Sequence, residues 1–323
     1  MTTKPNDRHA SVDPEIAVIL AQSPLDLSTL NDESLPVHRT GLMSTPRPEL
    51  SDRVERIDHQ VPEKDGEPAL AIRVHRPKEI DETRGCLYWI HGGGLVMGSY
   101  EMEDARFDRW CQLFGIVGVA IEYRLAPETP YPGPIEDCYR GLAWVHENAG
   151  ELGIDPERIG IGGASAGGGL AASLALLARD RGKYDIAYQL LIYPMLDDRQ
   201  CTPSSTWEVP VWPPSANHYG WTAYLGEAKG SPDVSPYASA ARAENLANLP
   251  PALVTVGSVD GFVDEDIDFA LRLNQAGVAT ELHVYPGGPH GFDSMAPNSF
   301  VSVRARRDME EWLGHQVGAD KPT

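Results

Sequence analysis

Apolar residues along this chain fall into two periods. Short apolar runs at 54–61, 70–75, 86–90, 116–121, 158–161, 187–192, 252–256 and 281–285, each bounded by Gly, Pro or charged residues, predict β-strands. Between the later ones, segments 136–148, 166–179, 264–275 and 299–316 place their apolar residues at helical spacing. Leu170, Leu174 and Leu177 do so in the second, and Ala305, Met309, Trp312 and Leu313 in the fourth. Strands alternating with helices predict an α/β fold: a mostly parallel sheet covered on both faces, with functional loops at the C-terminal strand ends.

Two stretches break the alternation. Residues 1–50 are polar, helical or irregular, and punctuated by Pro24, Pro36, Pro46 and Pro48. Within them, Asp13-Pro14 ahead of Ile16, Ile19 and Leu20 predicts a capped amphipathic helix. Residues 197–230, rich in Pro, Trp and Tyr, are too long for an ordinary connection and predict a lid over the site.

The strongest chemical signal lies between the strand at 158–161 and the helix at 166–179. There Gly163-Ala164-Ser165-Ala166-Gly167 puts a serine on a strand-turn-helix, with small residues where backbones must cross. The helix start also brings the Ala166 N–H, at the positive end of the helix dipole, beside any oxyanion that forms. A phosphate loop fits poorly. Gly160-Ile161-Gly162 lacks the third glycine of a dinucleotide fingerprint, which would fall at Ser165, and no Gly-Lys-Ser/Thr follows.

A serine nucleophile needs a base, and the base needs an acid to hold its tautomer. Of the ten histidines, His290 follows the strand at 281–285 through Pro286-Gly287-Gly288-Pro289, a loop that would hold an imidazole at the sheet rim. Asp260, just past the strand at 252–256, can reach the same loop; Asp264, Glu265 and Asp266 compete with it. Those three have a plainer reading as acids complementing the dipole of a first helical turn. Asp264, Asp266 and Asp268 also mimic the start of a calcium loop, but Phe269 stands where that loop needs glycine, so no metal is expected. His91-Gly92-Gly93-Gly94 directly follows the strand at 86–90. Consecutive glycines there suit backbone N–H groups converging on one oxygen, with His91 as a hydrogen-bonding brace and Gly92 as support.

With these residues in place, the chain resembles the hormone-sensitive-lipase-like family of α/β-hydrolase carboxylesterases from about residue 73 to 313. Tyr123-Arg124-Leu125-Ala126-Pro127-Glu128, Tyr193-Pro194-Met195-Leu196-Asp197 and Ser235-Pro236-Tyr237 add to the likeness. The resemblance implies an eight-stranded, mostly parallel sheet flanked by helices. It implies a helical cap built from residues 1–50 and an insertion at about 197–230 within a catalytic domain over 51–323. It implies a Ser165-Asp260-His290 triad, with Gly93, Gly94 and Ala166 as oxyanion donors. Four residues depart from the family pattern and bear on pocket shape: Leu95 after the glycines, Ala164 before the serine, and Gly261-Phe262 after the acid. Leu95, Trp207, Trp212 and Phe262 are the expected pocket residues.

Charge and cysteine usage narrow the setting. The 323 residues carry 47 Asp and Glu against 27 Lys and Arg, a formal net charge of −20, which disfavours nucleic acid and anionic membranes as partners. Cys86, Cys111, Cys138 and Cys201 show neither Cys-x-x-Cys pairing nor a zinc spacing, so reduced thiols in a cytoplasm are expected. No targeting or transmembrane segment is visible. The expectation is a cofactor-free serine carboxylesterase acting on short- to medium-chain neutral esters, with a homodimer through the strand at 281–285 as a further implication of the resemblance. An amidase or peptidase using the same triad, or a non-catalytic ligand-binding relative, are the alternatives.

Overall fold

Strands buried on both faces read as unbroken apolar runs, and this chain assembles them at the centre of one sheet. The computed structural model describes residues 6–22, 26–44, 47–79 and 82–318; Pro24 and Pro46 of the N-terminal layer lie outside the described residues. The strands are β1 (Val54–Val61), β2 (Leu70–Pro77), β3 (Arg84–Ile90), β4 (Val117–Ile121), β5 (Ile154–Ala164), β6 (Gln189–Ile192), β7 (Ala252–Gly257) and β8 (Thr280–Tyr285). They form one eight-stranded sheet in the order β1-β2-β4-β3-β5-β6-β7-β8. β1 and β4 each pair antiparallel with β2, and every other pairing is parallel. β4, β6 and β7 are buried throughout, whereas the edge strand β8 leaves Leu282 and Val284 more than a third exposed.

The helices are α1 (Pro14–Leu20), α2 (Leu35–Met43), α3 (Asp104–Phe114), α4 (Gly133–Glu147), α5 (Ala149–Leu152), α6 (Ala166–Arg181), α7 (Pro214–Leu225), α8 (Val263–Gln275), α9 (Phe292–Met295) and α10 (Phe300–Gln316). Two apolar layers sandwich the sheet. One gathers Leu142 of α4, Leu170 and Leu174 of α6 and Leu273 of α8. The other gathers Ile16 of α1, Phe107 and Trp110 of α3, and Met309 and Leu313 of α10. Among the described residues no helix is long and apolar enough to cross a membrane.

The structure adds to the periodicity reading in three places. Residues 104–114, given no element by that reading, form α3, which buries Phe107, Trp110 and Cys111 on one face. β5 runs from Ile154 to Ala164, well beyond the expected 158–161, because Gly162 and Gly163 pair with β3 and β6 while carrying no side chain to signal burial. Within 197–230, α7 buries Trp221 and Tyr224 in the same apolar layer as α4 and α6, so this insertion packs into the domain core. Asp13 caps α1 as expected, accepting the N–H groups of Glu15 and Ile16.

Candidate active site

The turn from β5 into α6 forces Ser165 into φ 59°, ψ −123°, a conformation that costs a non-glycine residue on the order of 1–3 kcal/mol and persists only where its surroundings over-determine it. Here the surroundings do so. Ser165 N donates to Ile192 O (2.9 Å), and its carbonyl accepts from Met195 N and Gly169 N (both 3.0 Å). The flanking glycines are required by contact: a methyl on Gly163 would strike the Gly167 carbonyl, and one on Gly167 the Ile90 carbonyl.

Three loops at the C-terminal strand ends meet over this serine. The Ser165 Oγ hydroxyl and His290 Nε2 are 2.8 Å apart, and His290 Nδ1 lies 2.7 Å from Asp260 Oδ2. A carboxylate only accepts, so Nδ1 carries the proton and Nε2 is free to accept from the serine. Asp260 Oδ1 accepts a second bond, from Phe262 N (3.0 Å). Asp260 and His290 are buried, and Ser165 is 8% exposed. The acid and base loops are laced directly: Val259 N donates to Gly288 O (3.0 Å) and Gly287 N to Ser258 Oγ (2.9 Å). Around the imidazole stand Tyr193 (ring centroids 4.8 Å apart), Phe262 (5.1 Å) and Trp212 (6.4 Å).

The glycine loop rises beside the serine. A methyl on Gly92 would lie 3.4 Å from Ser165 Cβ, and one on Gly94 would enter the Trp212 ring. Gly93, Gly94 and Leu95 all have positive φ (120°, 62° and 69°). His91 is buried, stacks on Tyr123 at 4.3 Å, and its Nδ1 lies 2.8 Å from Gly92 O. Burial pushes its pKa down to about 4, so it stays neutral near pH 7 and braces the loop without adding charge.

The four acids after β7 part company. Asp260 faces His290, whereas Asp264 Oδ2 accepts from Ser204 N (2.8 Å) and thereby ties the 197–230 insertion to α8. Glu265 and Asp266 sit in the first turn of α8 as expected, but both are buried. Glu265 Oε1 accepts the N–H groups of Leu196 and Asp197 (2.8 and 3.2 Å), fixing the loop after β6. Asp268 pairs with Arg272, so Asp264, Asp266 and Asp268 do not converge. Sequence reasoning missed the loop-fixing role of Glu265 because its partners lie 68 and 69 residues away.

Both carboxyl oxygens of Asp266 are buried and, among the described residues, have no hydrogen-bond partner. Burial first, then the neighbouring Glu265 and Asp260, raise its pKa well above the usual carboxylate range. In the unfolded chain Asp266 ionises near pH 4, whereas in the folded chain it keeps its proton. Its contribution to stability is therefore fully present below that pH and is lost as pH rises through the raised pKa. The Tm advantage of Asp266→Asn over the parent is expected to widen from pH 5 to pH 8; a constant or shrinking difference contradicts this.

Of the expected pocket residues, Trp207, Trp212 and Phe262 line one small recess next to His290, while Leu95 is 2% exposed within the core. The Arg8 guanidinium covers the Trp207 ring at 4.2 Å. Val209 lines that recess and also a separate hollow of about 520 Å³ whose wall includes Val12, Leu20, Leu27, Pro210, Met295 and the acids Asp26 and Glu208.

Comparison with known proteins matches residues 87–294 to a family described by its α/β hydrolase fold. The chain is 32% identical over 299 residues to the carboxylesterase NlhH of Mycobacterium tuberculosis, covering 91% of this chain and 92% of that protein. It is 33% identical over 292 residues to the esterase LipI of the same organism, covering 88% and 89%. Among solved structures, a bacterial heroin esterase superposes with a TM-score of 0.88 at 38% identity, covering 96% of this chain and 99% of that one.

Proposed function

The chain belongs to the hormone-sensitive-lipase-like family of α/β-hydrolases, and from that premise we propose that it is a serine carboxylesterase for short- to medium-chain neutral esters. The observation that carries the mechanism is the relay Ser165–His290–Asp260, at 2.8 and 2.7 Å, on a strained elbow.

Ser165 Oγ attacks the acyl carbon while His290 Nε2 takes its proton. Asp260 holds the Nδ1–H and stabilises the imidazolium. The tetrahedral oxyanion is received by the N–H groups of Gly93, Gly94 and Ala166; the last begins α6 and has no intrahelical acceptor. Collapse expels the alcohol, protonated by His290, and leaves an acyl-serine. His290 then activates water, which releases the acid and restores Ser165.

A fluorophosphonate is expected to form one adduct per chain, located at Ser165 by peptide mass spectrometry, and to abolish hydrolysis of p-nitrophenyl butyrate. Ester hydrolysis that survives full labelling, or labelling at another serine, overturns the assignment.

The small recess beside His290 supports the reading of substrate class. Its walls of Trp207, Trp212, Phe262, Val209 and Pro214 suit an uncharged group. The excess of acids over bases opposes anionic esters. Acyl groups of about two to eight carbons are preferred in this reading, a size range that the family resemblance implies. For esters of one alcohol, kcat/KM for butyrate is expected to exceed that for palmitate by about tenfold or more, ~1.4 kcal/mol in barrier. A palmitate preference, or activation at an oil-water interface, contradicts this.

A further inference from the structure

The run Tyr123-Arg124-Leu125-Ala126-Pro127-Glu128 takes no part in the proposed chemistry, yet it is bolted to the glycine loop at both ends. At one end the Tyr123 hydroxyl donates to His91 O (3.1 Å) and its ring stacks on the His91 imidazole. At the other, Ala126 N donates to Leu95 O (2.9 Å). Arg124 turns away and anchors the run to α4 through Asp137 (2.7 Å).

Arg39, from α2 in the N-terminal layer, closes the far end. Its Nε donates to Val96 O (2.7 Å) and one terminal nitrogen to Ala126 O (3.0 Å). Its two terminal nitrogens also grip the carboxylate oxygens of Glu128 (2.7 and 2.8 Å). One planar guanidinium thus joins a cap helix, the residue after Leu95 and the bolt behind it, a geometry that a lysine ammonium cannot reproduce.

We infer that Arg39 is a positioning residue for the reaction: by holding Val96 against Ala126 and Glu128, it fixes the height of the glycine loop over Ser165 and couples the cap to stabilisation of the oxyanion. This rests on the esterase reading above. Leu95, at φ 69°, is a non-glycine residue in a conformation that only its surroundings sustain, while Gly93 and Gly94 before it adopt positive φ freely and so leave the loop's position to its outside contacts. The Arg39–Glu128 pair is half-exposed (28% and 62%), and pairs of that kind add little to global stability. Its leverage is geometric. One oxyanion donor is worth about 10²–10³ in kcat, and a shift of about 1 Å in such a site costs on the order of 10².

The test compares Arg39→Ala, Arg39→Lys and Glu128→Gln with the parent protein, each normalised to sites titrated by a fluorophosphonate. The probe is an alkyl trifluoromethyl ketone, which forms a hemiketal oxyanion on the serine. Arg39→Ala is expected to lower kcat about 10- to 100-fold with KM changed less than about threefold, and to raise the ketone Ki by a similar factor. Glu128→Gln, which leaves the guanidinium in place, should show a smaller loss of the same kind, and Arg39→Lys should not restore the parent values. The inference is overturned if kcat per titrated site and ketone Ki are unchanged, since the residue then only supports folding. It is equally overturned if KM rises with kcat constant, since Arg39 then serves the pocket. If the parent itself neither labels at Ser165 nor binds the ketone, the esterase reading falls first. Should Arg39→Ala fail to fold, Glu128→Gln and Arg39→Lys carry the comparison.

Discussion

Ser165→Ala is expected to lower kcat by about 10⁵ to 10⁶ while leaving the fold and substrate binding intact. The hydroxyl donates to His290 alone among the described residues, so its loss removes the proposed nucleophile without breaking a bond to the rest of the fold. Alanine meets the same strained φ of 59° that serine tolerates, and the backbone bonds to Ile192, Met195 and Gly169 remain. Glycine-loop donors and the pocket persist, so residual rate over water survives. The check is kcat on p-nitrophenyl butyrate alongside the thermal midpoint. A variant within tenfold of the parent would place the nucleophile elsewhere.

Asp260→Asn is expected to cost about 10⁴ in kcat, again with the fold preserved. Asparagine is isosteric, and its carbonyl oxygen can still accept from Phe262 N, which the aspartate does at 3.0 Å. Towards His290 it presents an amide N–H, which favours the tautomer with Nδ1 bare and Nε2 protonated. That tautomer cannot accept the Ser165 proton. Asp264→Asn is the matched comparison, because Asp264 accepts from Ser204 N in the insertion and does not face the imidazole. It is expected to stay within about threefold of the parent kcat, in keeping with an indirect role. A near-inactive Asp264→Asn beside an active Asp260→Asn would reverse the assignment of the acid.

Much of this fold is legible from side-chain period, because burial imposes it residue by residue. The parallel strands β3, β4, β6 and β7 are apolar on both faces, and α6 and α10 carry their apolar positions at helical spacing, so each element announces itself locally. The same holds for the turn at Ser165. Its glycines stand where a methyl would collide with a backbone carbonyl, a requirement met within five residues of sequence. β5 shows the limit: its last residues before the elbow are glycine and alanine, which pair in the sheet but carry little hydrophobic signal.

What only the tertiary structure decides is which polar groups meet. Four acids follow β7 within nine residues, and spacing cannot separate them; the partners of three of them, at His290, Ser204 and Leu196, lie 30 to 69 residues away. The helix dipole accounts for acids in the first turn of α8, yet Glu265 and Asp266 are buried there, a fact set by what packs against the helix. Arg39 reads as one polar residue in a polar N-terminal stretch until the fold carries it across 57 and 89 residues to Val96 and Glu128. Local sequence thus determined the elements and the chemistry-bearing residue types, because backbone sterics and burial period act over a few residues. Selection among like residues was left to the packed sheet, because hydrogen bonds and charges are chosen by distance in space.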